Sequence, residues 1–142
     1  MIKLEKKESI YFLTMDAGEN RWNTTFVREI AKALDTIEDD EGPGALITSA
    51  TDSKFFSNGL DLDWMQAPED YPDGGDREVF GEEFMYLMGR FITLPIPTIC
   101  ALNGHTFGAG FMFALSHDFR IMREDRGFLC ANEMQLGLSI PR

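Results

Sequence analysis

The chain has 142 residues and a mass of 16.1 kDa, which fits one domain, and 44% apolar residues are enough to form a buried core. Thirteen Lys and Arg stand against 24 Asp and Glu, so the formal net charge of -11 repels polyanions and excludes nucleic acid as a default partner. The longest apolar stretches fall well short of the roughly 18 residues of a membrane span, and the first residues lack the apolar core of a signal peptide. We therefore expect a soluble intracellular protein.

Strands and helices alternate along the chain, which indicates an α/β architecture. The hydrophobic spacing and the turn residues predict, in chain order, a strand hairpin over 2–5 and 10–15, an amphipathic helix over 24–37 capped by Asn23 or Thr24, and a strand over 45–50 covered on both faces. An acidic surface loop over 66–76 and a second amphipathic helix over 80–91 follow. The last predicted elements are a buried strand over 98–102, a buried helix over 111–115 and a strand over 118–122.

The two cysteines predict no metal or redox site. Cys100 and Cys130 fall in apolar, strand-like segments without a CxxC pattern, so we expect two buried thiols. The acidic residues of the loop follow each other at a three-residue step, whereas an EF-hand calcium loop needs a two-residue step: Asp70, Asp73 and Asp76. We interpret them as solvated surface charge and expect no metal.

Two glycine-bearing segments, 54–62 and 103–110, are candidates for a ligand site because each leads into residues that begin a helix. If the two helix starts converge, they offer two peptide N–H groups to one oxygen, which is the arrangement of an oxyanion hole. The alternative is that the glycines serve only turns and tight packing. The second segment fits neither the dinucleotide fingerprint nor a phosphate loop, which disfavours nucleotide hydrolysis.

Glu133 is the most informative carboxylate because apolar residues surround it in the sequence. Such a Glu either pairs with a buried cation or has a raised pKa, which suits a general base for a weak carbon acid. Three arginines are candidates for the pairing, and both readings stay open: Arg120, Arg123 and Arg126. His105 and His117 have no Ser or Cys partner at motif spacing, so we expect structural roles for both.

Segments 55–62, 97–118 and 132–137 together resemble the crotonase superfamily of enoyl-CoA hydratases and isomerases, in order and over essentially the whole chain. The resemblance implies a single domain over 1–142 with a crotonase-like ββα spiral core. It implies that the N–H groups of Leu60 and Ala109 form an oxyanion hole for the thioester oxygen of an acyl-CoA. It further implies substrate binding, including the adenine end of CoA, at Ser57, Asn58, Gly59, Asp61, Leu62, Gly108 and Gly110.

One departure from the family pattern refines the expected reaction. Family hydratases use two glutamates, and the position of the first is occupied here by Met112, which leaves Glu133. Adding water benefits from two carboxylates, whereas moving a double bond from C3 to C2 needs one base that shuttles a proton. The layout therefore resembles the Δ3,Δ2-enoyl-CoA isomerases of fatty acid β-oxidation, with Glu133 as the catalytic base and no cofactor, since CoA is part of the substrate. A hydratase, and an inactive relative that binds acyl-CoA or a partner subunit, remain alternatives.

Family members are about twice as long as this chain. We therefore expect residues 1–142 to be a truncated N-terminal part, with a missing C-terminal helical part that closes the acyl pocket and builds a homotrimer. Acyl chain length is expected to depend on Trp64, Met65 and the following loop, besides that missing part. The resemblance to peroxisomal members suggests the peroxisome, although the chain does not end in a peroxisomal address.

Overall fold

The computed structural model describes residues 1–68, 70 and 76–132, and this part of the chain forms eight strands and four helices. The strands are β1 (Ile2–Lys7), β2 (Ile10–Met15), β3 (Ala45–Ala50), β4 (Phe55–Ser57), β5 (Thr98–Leu102), β6 (His105–Phe107), β7 (Phe119–Met122) and β8 (Leu129–Cys130). The helices are α1 (Thr24–Glu38), α2 (Leu62–Gln66), α3 (Phe80–Thr93) and α4 (Ala109–Leu115).

The strands form two sheets that the chain visits in turn. A five-stranded sheet has the order β1-β2-β3-β5-β7, and a three-stranded sheet has the order β4-β6-β8. Among the strand pairs of the described residues, the β1–β2 hairpin is antiparallel and the others are parallel. After the hairpin and α1, the chain makes three passes, and each pass adds one strand to the large sheet and then one to the small sheet. Helices follow the first two passes: α2 and α3 come after β4, and α4 comes after β6. This confirms the predicted α/β class and the ββα spiral.

Trp22 joins three helices at the centre of the apolar core. Its side chain is fully buried, and its ring contacts the edges or faces of Phe26, Phe84 and Phe113 at centroid distances of 5.1, 5.0 and 5.0 Å. These three rings come from α1, α3 and α4. Edge-on aromatic pairs at this distance contribute beyond their buried area, so Trp22 fixes how the helices sit against each other.

The helix boundaries follow from local chemistry. Asn23 caps α1 because its side-chain Oδ1 accepts a hydrogen bond from the N–H of Phe26 at 2.9 Å. Helix α3 ends at Thr93 shortly before Pro95 and Pro97, which cannot continue a helix. Both amphipathic helices were predicted, and both are confirmed.

The prediction that the strand over 45–50, β3, is covered on both faces is wrong for the described residues. In β3, Leu46 and Thr48 are fully buried, whereas Ile47 and Ser49 are half-buried. The buried apolar side chains of β3 and β5 belong to the same core as the helix side chains, so the helices cover one face of the sheet. A nearly continuous apolar sequence cannot distinguish one covered face from two.

One further prediction differs from the structure, and two strands were not predicted. Cys100 is buried, but Cys130 is half-buried because β8 is an edge strand of the small sheet. Strands β4 and β6 were not predicted, since each has only three residues and no alternation of apolar and polar side chains. The predicted acidic loop lies largely outside the described residues. In the part of the chain that is described, no helix is long and apolar enough to cross a membrane.

His117 has the structural role expected from the sequence. Its ring is 3% exposed, with Nδ1 2.9 Å from the Phe113 carbonyl oxygen and Nε2 2.9 Å from Thr48 Oγ1. Burial lowers the pKa of His117 to about 4, despite the hydrogen bond to the carbonyl of Phe113. The neutral imidazole therefore connects α4 to β3.

We expect the burial of His117 to make stability depend on pH. Because the pKa of the folded state is below the ordinary value of 6.5, the unfolded chain binds the proton more tightly and stability is lost as the pH falls below that value. The free energy of unfolding should decrease by about 2 kcal/mol between about pH 7 and about pH 5. Urea unfolding of the wild type and of His117→Gln across this range measures the effect. The variant should lose the slope, while His105→Gln should keep it; equal slopes in wild type and His117→Gln would contradict the assignment.

Candidate functional site

The first glycine segment forms a turn that two backbone hydrogen bonds hold in place. Gly59 has φ +82°, a conformation that favours glycine, and lies between the end of β4 and the start of α2. The N–H of Trp22 donates to the Gly59 carbonyl at 2.8 Å, and the N–H of Asp61 donates to the Trp22 carbonyl at 2.9 Å. Leu60 therefore pairs with the buried Trp22 in an isolated parallel β-bridge.

Two predicted substrate-binding residues follow this turn at the start of α2. Asp61 caps the helix, since its Oδ1 accepts a hydrogen bond from the N–H of Trp64 at 3.2 Å. Leu62 is the first helical residue, and its side chain is half-buried. The sequence had predicted that a helix begins here, and the structure confirms it.

The second glycine segment leads from β6 into α4. Gly108 has φ +50°, and its N–H donates to the Cys130 carbonyl of β8 at 2.9 Å. Its carbonyl accepts a hydrogen bond from the N–H of Met112 at 3.0 Å, which closes the first turn of α4. Ala109 is therefore the first residue of this helix, which begins two residues before the predicted start at Phe111 and includes Gly110.

The structure brings these two segments into direct contact. Strands β4 and β6 are parallel neighbours, so their carboxyl ends lie side by side. A Cβ built on Gly59 would lie 3.0 Å from the Phe107 carbonyl oxygen and 3.8 Å from the backbone nitrogen of Ala109. Among the described residues, the N–H groups of Leu60 and Ala109 donate no hydrogen bond.

The polar side chains of the first segment are engaged with the protein. Ser57 is fully buried, so its side chain faces other parts of the chain and only neighbouring backbone can face a ligand. Asn58 donates from Nδ2 to Glu19 Oε2 at 2.8 Å, and Arg21 donates from Nε to the same oxygen at 2.9 Å. These two hydrogen bonds, that of Asn58 foremost, lower the pKa of Glu19.

A polar cleft of about 520 Å³ opens beside this segment. Three carboxylates, from Glu19, Asp61 and Asp63, line it together with Arg21. Arg21 is held between two of them, because its Nη1 also donates to Asp63 Oδ2 at 2.9 Å. The guanidinium of Arg21 is therefore already paired with two of the carboxylates of the cleft.

Glu133 lies outside the described residues, and Asn132 immediately precedes it. Two of its candidate partners are occupied in the described part of the chain. Arg120 donates from Nη1 to the His117 carbonyl at 2.6 Å, and Arg123 forms a two-pronged ion pair with Asp125 at 2.7 Å for each contact. A pairing of Glu133 with any of the three arginines stays a prediction.

An apolar groove of about 410 Å³ runs between α3 and α4. All but one of its lining residues are apolar: Met85, Met88, Ile92, Phe111, Met112, Leu115, Ser116 and Ala131. Sequence reasoning missed this groove, although the helical spacing of 85, 88 and 92 and of 112 and 115 places those residues on one face of each helix. Trp64 and Met65, expected to shape an acyl pocket, do not line it; Trp64 is 2% exposed and packs against Phe80.

The described residues contain no group of three His, Cys, Asp or Glu side chains placed to hold a metal ion. Of the three acidic loop residues, Asp70 is exposed as expected, whereas Asp76 is half-buried and paired with Arg28, whose Nη1 donates to Asp76 Oδ2 at 2.7 Å. Asp73 lies outside the described residues, so the expectation stays a prediction for it.

Comparison with known proteins identifies the class that the spiral and the paired glycine turns belong to. Residues 5–141 match the enoyl-CoA hydratase/isomerase family. Enoyl-CoA delta isomerase 2, peroxisomal, of Arabidopsis thaliana is 37% identical over 99% of this chain and 60% of its own length. Enoyl-CoA delta isomerase 3 of the same plant is 35% identical over 99% and 59%. The crystal structure of a probable enoyl-CoA hydratase from Mycobacterium tuberculosis superposes with a TM-score of 0.83, at 25% identity, over 99% of this chain and 57% of that one.

The fold is thus that of the crotonase-type proteins. The chain belongs to the enoyl-CoA hydratase/isomerase family, as the sequence resemblance implied. It spans about 60% of the length of the curated relatives it matches.

Because the two glycine segments contact each other, we expect a larger residue at position 110 to destabilise the folded protein. A Cβ on Gly110 would lie 2.5 Å from both Cβ and Oγ of the buried Ser57, so Gly110→Ala should lower the free energy of unfolding by about 1–3 kcal/mol. The matched control is Gly89→Ala in α3, where an added Cβ meets nothing within 4 Å. That variant should gain about 0.5–1 kcal/mol from helix propensity. Urea denaturation measures both; a Gly110→Ala protein as stable as wild type would refute the packing argument.

Proposed function

We propose that the protein acts as an enoyl-CoA Δ3,Δ2-isomerase, in which Leu60 and Ala109 donate backbone hydrogen bonds to the thioester oxygen and Glu133 is the base. One observation carries the proposal: a Cβ on Gly59 would be only 3.8 Å from the Ala109 nitrogen, so the turn that precedes α2 adjoins the peptide group that begins α4. Sequence similarity to delta isomerases supports the choice of reaction.

The reaction begins when the thioester carbonyl accepts hydrogen bonds from the two N–H groups. The Glu133 carboxylate then removes a proton from C2, and the electron pair moves onto the thioester oxygen to give an enolate. The double bond between C3 and C4 shifts to C2 and C3 as the enolate collapses and the Glu133 carboxyl returns the proton to C4. Because the N–H groups are fixed before the charge develops, they stabilise the enolate without reorganisation, and losing one such donor typically costs about 10²–10³ in rate.

The absence of a second carboxylate at position 112 supports isomerisation over hydration. Met112 occupies the position where the family resemblance places the first hydratase glutamate, and it lines the apolar groove. A thioether can neither activate a water molecule nor transfer a proton, whereas proton transfer from C2 to C4 needs only one base. The reaction needs no metal or other cofactor, since CoA is part of the substrate.

The groove between α3 and α4 is the proposed site of the acyl chain. Two of its lining residues, Phe111 and Met112, follow Ala109 in the first turn of α4, and its walls carry no charged side chain. The backbone of residues 57–62 would receive the adenine end of CoA. For the complete protein we propose a homotrimer and, from the names of two relatives, location in the peroxisome.

The role of Glu133 can be tested directly in the complete protein. Glu133→Gln keeps the size of the side chain but removes the base, so the rate of conversion of 3-hexenoyl-CoA to 2-hexenoyl-CoA should fall by about 10²–10⁴. The control is Glu124→Gln, which removes an exposed carboxylate and should retain activity. Equal rates in Glu133→Gln and wild type would remove Glu133 from the mechanism. A wild-type protein that binds acyl-CoA but does not convert it would instead favour an inactive relative.

The acyl groove can be tested by chain length. Leu115 is 53% exposed at the groove, and Leu115→Asp places a charge where a long acyl chain would lie. Because each buried CH₂ is worth about 0.8 kcal/mol, kcat/KM for a twelve-carbon 3-enoyl-CoA should fall at least about tenfold more than for the six-carbon substrate. Ile121→Asp is the control, since Ile121 is 64% exposed on β7 and does not line the groove. An equal loss for both chain lengths in Leu115→Asp would contradict the assignment.

A further inference from the structure

The buried hydroxyl of Ser57 makes as many hydrogen bonds as a hydroxyl can. Its Oγ donates to the Asn20 carbonyl at 2.7 Å and accepts from Trp22 Nε1 at 3.0 Å and from the Gly59 N–H at 3.3 Å. One donor and two acceptor positions are the full capacity of a serine hydroxyl. The side chain is therefore fixed in one orientation and is not free to bind a ligand.

The partners of Ser57 are themselves rigid. Asn20 is fully buried in a left-handed conformation with φ +49°, and its Nδ2 donates to the Phe56 carbonyl at 3.1 Å. Its Oδ1 accepts a hydrogen bond from the N–H of Ala17 at 3.0 Å. Trp22 is packed between three aromatic rings. The segment before α1 therefore forms hydrogen bonds with the end of β4, at Ser57 and at its neighbour Phe56.

Ser57 also touches the second glycine segment. A Cβ on Gly110 would lie 2.5 Å from both Cβ and Oγ of Ser57, so the serine side chain packs directly against the glycine backbone. Gly59, which Ser57 holds by its N–H, immediately precedes Leu60, and Gly110 immediately follows Ala109. The same side chain therefore bonds to the residue next to one proposed donor and contacts the residue next to the other.

We propose that Ser57 is a positioning residue that sets the separation and direction of the Leu60 and Ala109 N–H groups. This inference rests on the proposed function, because it assigns a role in orienting the two donors of that site. Ser57 touches no reacting atom; it acts through Gly59 and Gly110. Its loss would let the two turns shift relative to each other, and small misplacements of catalytic groups are costly when charge develops.

The test uses the complete protein with hexanoyl-CoA, a saturated thioester that cannot isomerise, labelled with ¹³C at the carbonyl. Difference infrared spectroscopy reports hydrogen bonding to this carbonyl, which moves its stretching band to lower wavenumber. The wild type should show this shift, and Ser57→Ala should show a smaller one. With 3-hexenoyl-CoA, kcat of Ser57→Ala should fall about 10- to 100-fold while KM changes little, because the donors act mainly on the transition state.

Two further variants separate positioning from a general loss of stability. Ser57→Cys keeps a weak donor and acceptor, so it should recover part of both the band shift and kcat, and it serves if the alanine variant does not fold. Thr48→Ala removes another buried hydroxyl, the partner of His117 in the large sheet, and should keep the wild-type band shift and kcat. If Ser57→Ala has the band shift and kcat of the wild type, the positioning role is wrong while the proposed oxyanion hole still stands. The same holds for Ser57→Cys if only that variant folds. No band shift in the wild type would overturn the proposed oxyanion hole and the inference with it.

Discussion

The structure depends on one close contact, in which two glycine turns from different parts of the chain press against each other. Gly59 lies against the backbone of Phe107 and Ala109, and Gly110 lies against Ser57. An added Cβ would overlap Ser57 at position 110, and at position 59 it would crowd the Phe107 carbonyl oxygen in a backbone conformation that favours glycine. This contact fixes the ends of β4 and β6 relative to each other, and through them the starts of α2 and α4. A site made of backbone groups can be placed accurately only where the backbones themselves approach this closely.

A buried hydrogen-bond network at the end of β4 makes this contact rigid. Trp22 unites three helices through its ring and reaches Ser57 through its indole N–H. Asn20 completes the network with hydrogen bonds to the same strand. Packing of the core and geometry of the candidate site are therefore joined through a few side chains. A fully satisfied buried network of this kind specifies one arrangement, because any shift leaves polar atoms without partners.

Much of the fold could be predicted because it follows from strong local signals. The periodicity of α1 and α3, the Asn23 cap and the apolar strands β3 and β5 are visible in the sequence and agree with the structure. The small sheet was missed because strands of two or three residues have no measurable period and are defined by neighbours distant in sequence. Coverage of the large sheet was predicted wrongly for a similar reason, since it depends on where the helices pack.

The candidate site was predictable only in part. The glycines and their helices could be read locally, but their meeting is a long-range contact for which the family resemblance was the stronger guide. The role of Ser57 had no sequence signal, since a serine before a glycine turn looks the same whether its hydroxyl faces a ligand or the core. Glu133 lies outside the described residues and stays a prediction, as does every assigned role in binding or catalysis.

The alternating path of the chain has a consequence for sequence variation. The turn at Gly59 belongs to the pass that contains β3 and β4, and the turn at Gly108 belongs to the next pass, with β5 and β6. None of the described residues between α2 and α3 belongs to a strand. A change in the length of chain between the two passes therefore need not alter the register of β4 against β6, because hydrogen bonds within the small sheet set that register. The separation of the two turns is thus independent of how much chain joins them.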